Sequence, residues 1–312
     1  MPTEFGYLLP TREHVMEDRP AGRLLLELAR HADDLGFDSV WVGDSLLARP
    51  RHEPMTLLAA VAGQSPRLKL GTAVLLPALR NPVLLAHQAA TVDQVSEGRL
   101  ILGVGIAADT PAIRAEFKAA GVPYEKRVGR LMEGLRLCKA LWTGESISWN
   151  GRWEVDDQTL GPIPHRAGGP PIWLGTSSAP GLNRAGRHFD GWFPTGPDAA
   201  TFGERWQTVR DAAHEAGRNA DELTASVYLT VSINEDADAA DAIANDYLQR
   251  YYQAPAAVMR KHQAVFAGPA GELGPWIQGY VDAGATHIIV RFAGDHDRHL
   301  KLFANVREEY NW

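Results

Sequence analysis

The chain has 312 residues, of which 45% are hydrophobic and 22% are charged, as in an ordinary soluble globular protein. Its formal net charge of −7 and the lack of a long Lys/Arg run argue against nucleic acid or an anionic membrane as a partner. The single cysteine, Cys138, excludes an intrachain disulfide, and we expect it to be a buried, inert thiol. There is no signal-peptide pattern and no run of ~18 apolar residues, so the expected location is the cytoplasm.

The first third of the chain alternates short apolar runs with helical patterns. The predicted strands are 4–10, 38–44, 67–76 and 99–107, and the predicted helices between them are 21–37, 53–64 and 81–98. These strands are continuously apolar and do not alternate, which is typical of parallel strands covered by helices on both faces. Pro54 and Pro82 near helix starts, and Gly36 and Gly98 past helix ends, agree with these bounds.

The rest of the chain continues this order less regularly. Further helices are predicted near 110–120, 124–143, 181–189 and 271–285, together with a polar helical region at 236–266. A hairpin is predicted at 146–155, and further strands at 172–178, 190–194, 225–233 and 286–293. The Asn150-Gly151 pair is a strong turn signal for the hairpin. Eight strands with intervening helices predict a single (β/α)8 TIM barrel over 1–312, with insertions near 145–170 and 236–268. A doubly wound open sheet is the alternative.

In such a barrel the active site lies at the C-terminal ends of the strands. These ends are mostly small or apolar here, with one acid, Asp44, after the second strand. Metal-ligand patterns and paired carboxylates are not found there, so we expect no metal. A rim of this kind suits a flat aromatic cofactor that carries the hard chemistry. After the fifth strand, Gly175, Thr176, Ser177 and Ser178 offer an anion site, or only a turn and N-cap.

Five blocks of the sequence resemble the bacterial luciferase-like monooxygenase superfamily, in the order found in that family. They cover nearly the whole chain and read GFDSVWVGD, KLGTAVLLPALRNPVLLAHQAATVDQVSEGRLILGVGI, FKAAGVPYEKRVGRLMEGLRLCKALWTGE, PPIWLGTSSAPGLNRAGRHFDGWFP and YVDAGATHIIVRFAG. The resemblance implies a (β/α)8 barrel that binds flavin mononucleotide (FMN) or the deazaflavin coenzyme F420. It also implies a homodimer packed through the early barrel helices.

The resemblance further implies where the cofactor binds. A non-prolyl cis peptide on the third strand, at Ala73–Val74, would support the ring. Small residues ending the fourth strand would line the ring or its ribityl chain, namely Gly103, Val104, Gly105, Ile106 and Ala107.

Two residues after the second strand bear on the choice of cofactor. Asp44 ends a W-x-x-D pattern that resembles the deazaflavin-using branch, where the acid lies beside the polar edge of the ring; a helix N-cap is the alternative. Ser45 stands where several deazaflavin dehydrogenases carry a catalytic His. This departure weakens the case for a sugar-phosphate or alcohol dehydrogenase, although Ser45 can still hydrogen-bond a substrate and take part in catalysis.

Three more residues are candidates for the substrate or the cofactor tail. Arg291, at the end of the eighth strand, could bind an anionic group or close the barrel by a salt bridge. Arg80, after the third strand, could reach the acidic tail of the cofactor or be a solvated loop residue. Trp149 could cover the substrate or only pack across the hairpin.

We therefore expect an oxidoreductase that transfers a hydride between coenzyme F420 and a small organic substrate. The alternative is a two-component FMN-dependent monooxygenase that uses reduced flavin and O2 in a water-excluding pocket. A separate flavin or F420 reductase would then be a partner. An alternative of another class is a non-catalytic flavin-binding barrel. An aldolase or isomerase barrel is disfavoured, because it needs a Lys or paired acids at the strand ends.

Overall fold

The computed structural model describes residues 2–18 and 21–312, without the side chain of His14. Its strands are β1 (Glu4–Leu8), β2 (Ser39–Val42), β3 (Lys69–Thr72), β4 (Leu100–Val104), β5 (Ile147–Asn150), β6 (Glu154–Gln158), β7 (Ile172–Leu174), β8 (Gly191–Trp192), β9 (Thr224–Ile233), β10 (Val265–Gly268) and β11 (His287–Phe292). Its α-helices are α1 (Glu13–Met16), α2 (Gly22–Asp34), α3 (Pro54–Ala62), α4 (Pro82–Val95), α5 (Pro111–Ala119), α6 (Arg127–Leu141), α7 (Ala179–His188), α8 (Ala199–Glu215), α9 (Ala237–Tyr252), α10 (Ala256–Met259), α11 (Ala270–Asp282) and α12 (His296–Tyr310).

The fold is a (β/α)8 barrel, as the sequence predicts. The sheet runs in the order β10-β9-β11-β1-β2-β3-β4-β7-β8, and β8 also pairs with β9. The path from β9 through β11 and β1 to β8 therefore returns to β9, which closes a ring of eight strands. Strand β10 pairs with β9 outside this ring, and β5 and β6 form a separate antiparallel hairpin.

The chain divides into two compact units, which we call unit 1 and unit 2. Unit 1 is built from the chain up to Trp41 and from Trp173 onward. Its longest strands are parallel, and the register places Arg291 opposite Thr230 and Tyr7 opposite Val290. Strand β11 is buried along its whole length, as expected for a parallel strand covered on both faces.

Unit 2 runs from Val42 to Ile172 and holds β3, β4, the hairpin and helices α3 to α6. Helix α4 begins where the Asn81 side chain accepts a hydrogen bond from the backbone N–H of Val83, with Pro82 in the first turn. Cys138 on α6 is buried, as predicted, and burial raises the pKa of its thiol to about 12. A thiol with this pKa is not a nucleophile at neutral pH.

Four elements of the structure are absent from the sequence-based prediction, namely α1, α8, α12 and β10. Helices α8 and α12 are not predicted, although Asp198 and Asp295 immediately before them are capping residues. Strand β10 falls in the 236–268 region, which the sequence pattern describes only as helical. Its four residues carry too short a pattern to identify a strand, and its ladder partners come from the remote strand β9. The predicted hairpin is confirmed and extends to Gln158.

Candidate active site

Asp44, immediately after β2, is held by an almost buried ion pair. The guanidinium of Arg80 donates to both carboxylate oxygens, at 2.5 and 3.1 Å, and the backbone N–H of Leu76 donates at 2.8 Å. The Asp44 side chain is 2% exposed and that of Arg80 is 14% exposed. Three charge-assisted hydrogen bonds in such a setting fix the carboxylate in one orientation. Asp44 is not the N-cap of α3, because Glu53 occupies that position.

Arg80 bridges two carboxylates. Besides Asp44 it donates to Glu53 at 3.3 Å. Burial disfavours the charge on Arg80, but attraction to Asp44 and Glu53 outweighs it and raises the pKa of the guanidinium. Burial also disfavours the charge on Glu53, yet bonds from Thr56 and attraction to Arg80 lower the pKa of that carboxyl. Arg80 is therefore not a solvated loop residue.

Ser45 is engaged by the protein on both its donor and its acceptor side. Its hydroxyl donates to Glu116 at 2.8 Å and accepts from the backbone N–H of Arg49 at 2.9 Å. The same Glu116 oxygen accepts from the backbone N–H groups of Leu47 and Ala48. In this arrangement the Ser45 hydroxyl orders the loop after β2.

Glu116 is the functional candidate that the sequence analysis missed. It lies on α5 and is 1% exposed, next to the buried residues Ile113 and Phe117. A carboxylate on the apolar face of an amphipathic helix signals a specific partner, because an unpaired buried charge is costly. That signal was present in the sequence, but the partner lies 71 residues away along the chain at Ser45.

Strands β3 and β4 meet at the residues expected to contact a cofactor ring. The Ala73–Val74 peptide is cis, which confirms the implication of the family resemblance. Beyond the two strands, the backbone N–H of Leu75 donates to the Gly103 carbonyl at 2.7 Å, and the N–H of Gly105 donates to the Leu75 carbonyl at 2.9 Å. A Cβ on Gly105 would lie 2.5 Å from the side chain of Val74, so a larger residue there would force Val74 to shift.

The end of β4 alternates glycine with larger apolar residues, in the order Gly103, Val104, Gly105, Ile106. Val104 is fully buried, and Ile106 and Ala107 are only partly buried. Ala107 has a φ of 61°, a left-handed conformation that turns the chain sharply after the strand. A flat ring can approach the backbone closely at Gly103 and Gly105, so the residues present are compatible with a flavin or deazaflavin.

Residues 175–178, in unit 1, form a loop that leads into α7. Ser178 is the N-cap of this helix, and its hydroxyl accepts from the backbone N–H of Gly181 at 3.3 Å. Thr176 is partly exposed, Ser177 is exposed, and Gly175 is partly buried. The turn and N-cap are therefore present, and the N–H groups at the start of α7 carry the positive end of the helix dipole.

Arg291 is fully buried in unit 1 and does not lie open at a rim. Its guanidinium donates to the Tyr252 hydroxyl at 3.0 Å, to Thr230 at 2.7 Å and to the Gln263 side-chain carbonyl at 2.8 Å. Four aromatic rings lie within 5.3 Å of the guanidinium carbon, those of Tyr228, Tyr247, Tyr251 and Tyr252. The cation is stabilised by rings and neutral acceptors and not by the predicted alternative of a salt bridge.

Trp149 lies on β5 of the hairpin, opposite Val155 on β6. Its side chain is half-buried. The turn of the hairpin is held to helix α6, because the backbone N–H of Arg152 donates to Glu133 at 2.6 Å and their side chains form an ion pair. Trp149 therefore occupies a cross-strand pair position in the hairpin.

The described residues form neither a metal-binding cluster nor a membrane-spanning helix. Within residues 2–18 and 21–312, no group of three or more His, Cys, Asp or Glu side chains is arranged to hold a metal ion. None of the helices in the same described part of the chain combines the length and apolar character needed to cross a bilayer.

Comparison with known proteins identifies the family. The family model described as luciferase-like monooxygenase matches residues 3–301. The chain belongs to this family. The F420-dependent glucose-6-phosphate dehydrogenase of Nakamurella multipartita is 32% identical over 248 residues, which cover 77% of this chain and 70% of that protein. The enzyme of the same name from Kineococcus radiotolerans is 29% identical, and the match covers 90% of each chain.

A solved structure agrees with this family fold. A monooxygenase from Streptomyces bottropensis superimposes with a TM-score of 0.83 at 23% identity, covering 99% of this chain and 100% of that one. Such a likeness supports the barrel fold alone. The related dehydrogenases and the monooxygenase family are both oxidoreductases, and the chain is an enzyme of that class.

Proposed function

We propose that this enzyme binds coenzyme F420 and catalyses hydride transfer between it and a small organic substrate. The observation that carries the proposal is the Asp44 carboxylate, fixed by Arg80 and by the Leu76 N–H, in a chain whose relatives are named F420-dependent dehydrogenases. A carboxylate that accepts three donors is held rigidly enough to position a polar ring edge. The role of Arg80 is then to orient Asp44, in place of the cofactor-tail contact considered from the sequence.

The proposed cofactor contacts follow from the described geometry. When bound, the deazaflavin would supply the carbon that gives or takes the hydride. In unit 2, Val74 and Gly105 would bound the ring face, and residues 103–107 would allow close approach. In unit 1, residues 175–178 would bind an anionic group through the loop and the start of α7.

The substrate is proposed to differ from the sugar phosphate named for the relatives. Acid–base chemistry by Ser45 would require its hydroxyl to leave Glu116, to which it donates at 2.8 Å. A serine hydroxyl also lacks a pKa near neutrality, which a general base needs. We therefore assign Ser45 to loop positioning.

An FMN-dependent monooxygenase is the second candidate function. The name of the matching family model and the largely apolar ends of β3 and β4 favour it, because a reactive oxygen adduct needs protection from water.

The experiment is a pair of fluorescence titrations of the purified protein, one with F420 and one with FMN. F420 is expected to bind more tightly, and Asp44→Asn is expected to weaken its binding at least tenfold. Asp109→Asn is the matched control, because Asp109 also receives a two-pronged Arg pair, from Arg114, but on an exposed surface. Preference for FMN, or equal effects of both variants, would contradict the proposal.

The expected homodimer also belongs to this proposal. Leu84 and Val95 on α4 are 64% and 51% exposed and lie eleven residues apart, on the same helix face. Two large apolar side chains exposed on one helix face are compatible with a subunit interface. Light scattering should give twice the chain mass, and Leu84→Glu should give the monomer. The location in the cytoplasm stays a prediction.

A further inference from the structure

Unit 1 contains an open cavity of about 610 Å³ that the proposed cofactor contacts do not use. It lies between the start of α8, the segment leading into β10, and one face of α11. The residues that define its chemistry are Asp198, Arg260, Gln263, Trp276, Gly279 and Tyr280. A volume of this size is that of a small-molecule site.

One wall of the cavity is aromatic. Trp276 and Tyr280 lie one turn apart on α11, with ring centroids 5.2 Å apart and ring planes at 70°. The Tyr280 hydroxyl donates to the Pro197 carbonyl at 2.7 Å and the residue is 1% exposed, so the phenol is fixed and supports the indole of Trp276. Trp276 also packs on Phe266, at 5.6 Å. The partly exposed indole of Trp276, held by these two rings, is a rigid surface for a flat or unsaturated ligand.

The charged groups at the cavity are already matched within the protein. The guanidinium of Arg260 donates to Asp241 at 2.5 Å and to Asn245 at 2.9 Å. Asp198 caps α8, and its two oxygens accept from the backbone N–H and the hydroxyl of Thr201. An entering phosphate or carboxylate would compete with Asp241 for the guanidinium and would be repelled by Asp198.

Gln263 supplies the remaining polar contact. It is buried, and its side-chain carbonyl accepts from Arg291 at 2.8 Å and from Thr230 at 3.2 Å. These bonds fix the orientation of the amide. Among the described residues none accepts a hydrogen bond from the amide nitrogen, so the cavity offers one neutral donor.

We propose that this cavity is a binding site for an uncharged organic molecule that has a flat unsaturated part and a carbonyl or hydroxyl acceptor. The aromatic wall takes the flat part and the amide of Gln263 meets the acceptor. Anions are disfavoured because Asp198 lines the cavity and Arg260 is already paired with Asp241. The site is assigned from unit 1 alone, so it does not depend on which cofactor the enzyme binds.

The test uses three probes that share a benzene ring and differ in charge: acetophenone, benzoate and benzylamine. Calorimetric titration of the full chain should show acetophenone binding at least tenfold more tightly than benzoate or benzylamine. Inorganic phosphate should not bind in competition with acetophenone. Tighter binding of benzoate, benzylamine or phosphate would overturn the assignment, and so would no binding of acetophenone.

A cavity-filling variant locates the probe. Gly279 on α11 lines the cavity, and a Cβ there would meet only the Cβ of Ala199, at 3.6 Å. Gly279→Leu should fill the space and weaken acetophenone binding at least tenfold. Gly271→Leu on the same helix is the control, because no atom lies within 4 Å of its added Cβ. Equal binding by both variants would refute the location.

A second variant keeps the test decisive if Gly279→Leu does not fold. Trp276→Leu retains apolar bulk but removes the flat wall, and it should also weaken acetophenone binding while leaving F420 affinity unchanged. Unchanged acetophenone affinity in Trp276→Leu would contradict the proposed wall. Failure of the wild-type protein to bind F420 would instead contradict the proposed function, without bearing on the cavity site.

Discussion

The pair formed by Asp44 and Arg80 should show strong energetic coupling. The perturbations are Asp44→Asn, Arg80→Met and the double variant. Removing Arg80 alone leaves a carboxylate whose side chain is 2% exposed. Its one remaining donor is the backbone N–H of Leu76, at 2.8 Å.

The magnitude follows from burial and from the number of donors lost. Breaking a buried ion pair by removing one partner costs about 3–5 kcal/mol. The remaining Leu76 bond and the 14% exposure of Arg80 reduce this, and we expect about 3 kcal/mol for Arg80→Met. Asp44→Asn should cost about 2 kcal/mol, because Arg80 keeps Glu53 as a partner. The double variant leaves no unpaired buried charge and should cost about 3 kcal/mol, not the sum of about 5.

The assay is urea unfolding followed by far-ultraviolet circular dichroism for the four proteins. The double-mutant cycle should give a coupling energy of about 2 kcal/mol. The exposed Asp109–Arg114 pair, perturbed in the same way, should give less than about 1 kcal/mol. Additive costs for Asp44 and Arg80 would refute the inference that these side chains share one buried interaction.

Three further predictions test single contacts. Glu116→Ala should lower the free energy of unfolding by about 2–3 kcal/mol and weaken F420 binding, because the loop after β2 loses its hydrogen-bond acceptor. Glu116→Gln keeps an acceptor and should largely retain both stability and binding. If it does not, the positioning role of Glu116 is contradicted. Gly105→Ala forces a Cβ against Val74 and should cost about 1–3 kcal/mol in urea unfolding, whereas Gly161→Ala, with no atom within 4 Å, should be neutral. Burial lowers the pKa of His299, so below the unfolded pKa of about 6.5 the unfolded chain binds a proton more readily than the folded chain, and the free energy of unfolding decreases as the pH is lowered. His299→Gln should reduce the change in the urea midpoint between pH 7 and pH 5. An unchanged pH dependence would contradict this.

The fold class could be predicted because its signals are local. Most barrel strands are short and mainly apolar, and several connections are marked by Gly, Pro or a capping residue such as Asn81. Burial on both faces requires such runs whatever their neighbours are. The cis peptide at Ala73–Val74 followed from the family resemblance and not from any local preference.

The residues of the candidate site could be predicted only in part from the sequence. Asp44 stood out as the single acid at a strand end, but its partner Arg80 lies 36 residues along the chain. Arg291 looked available for an anion, whereas tyrosines of β9 and α9 enclose it. One residue's accessibility is decided by which others pack on it, and the pattern of a single segment does not contain that information.

The sequence by itself determined the barrel, the family and the positions at which strands end in small residues, because strand propensity and burial act over a few neighbouring positions. Only the tertiary structure decided that Glu116 orders the loop at Ser45, that β10 adds to β9, and that the cation of Arg260 is already paired. Each of these depends on groups far apart in sequence. These contacts form only when the intervening loops close, which has an entropic cost that a local sequence pattern does not reveal.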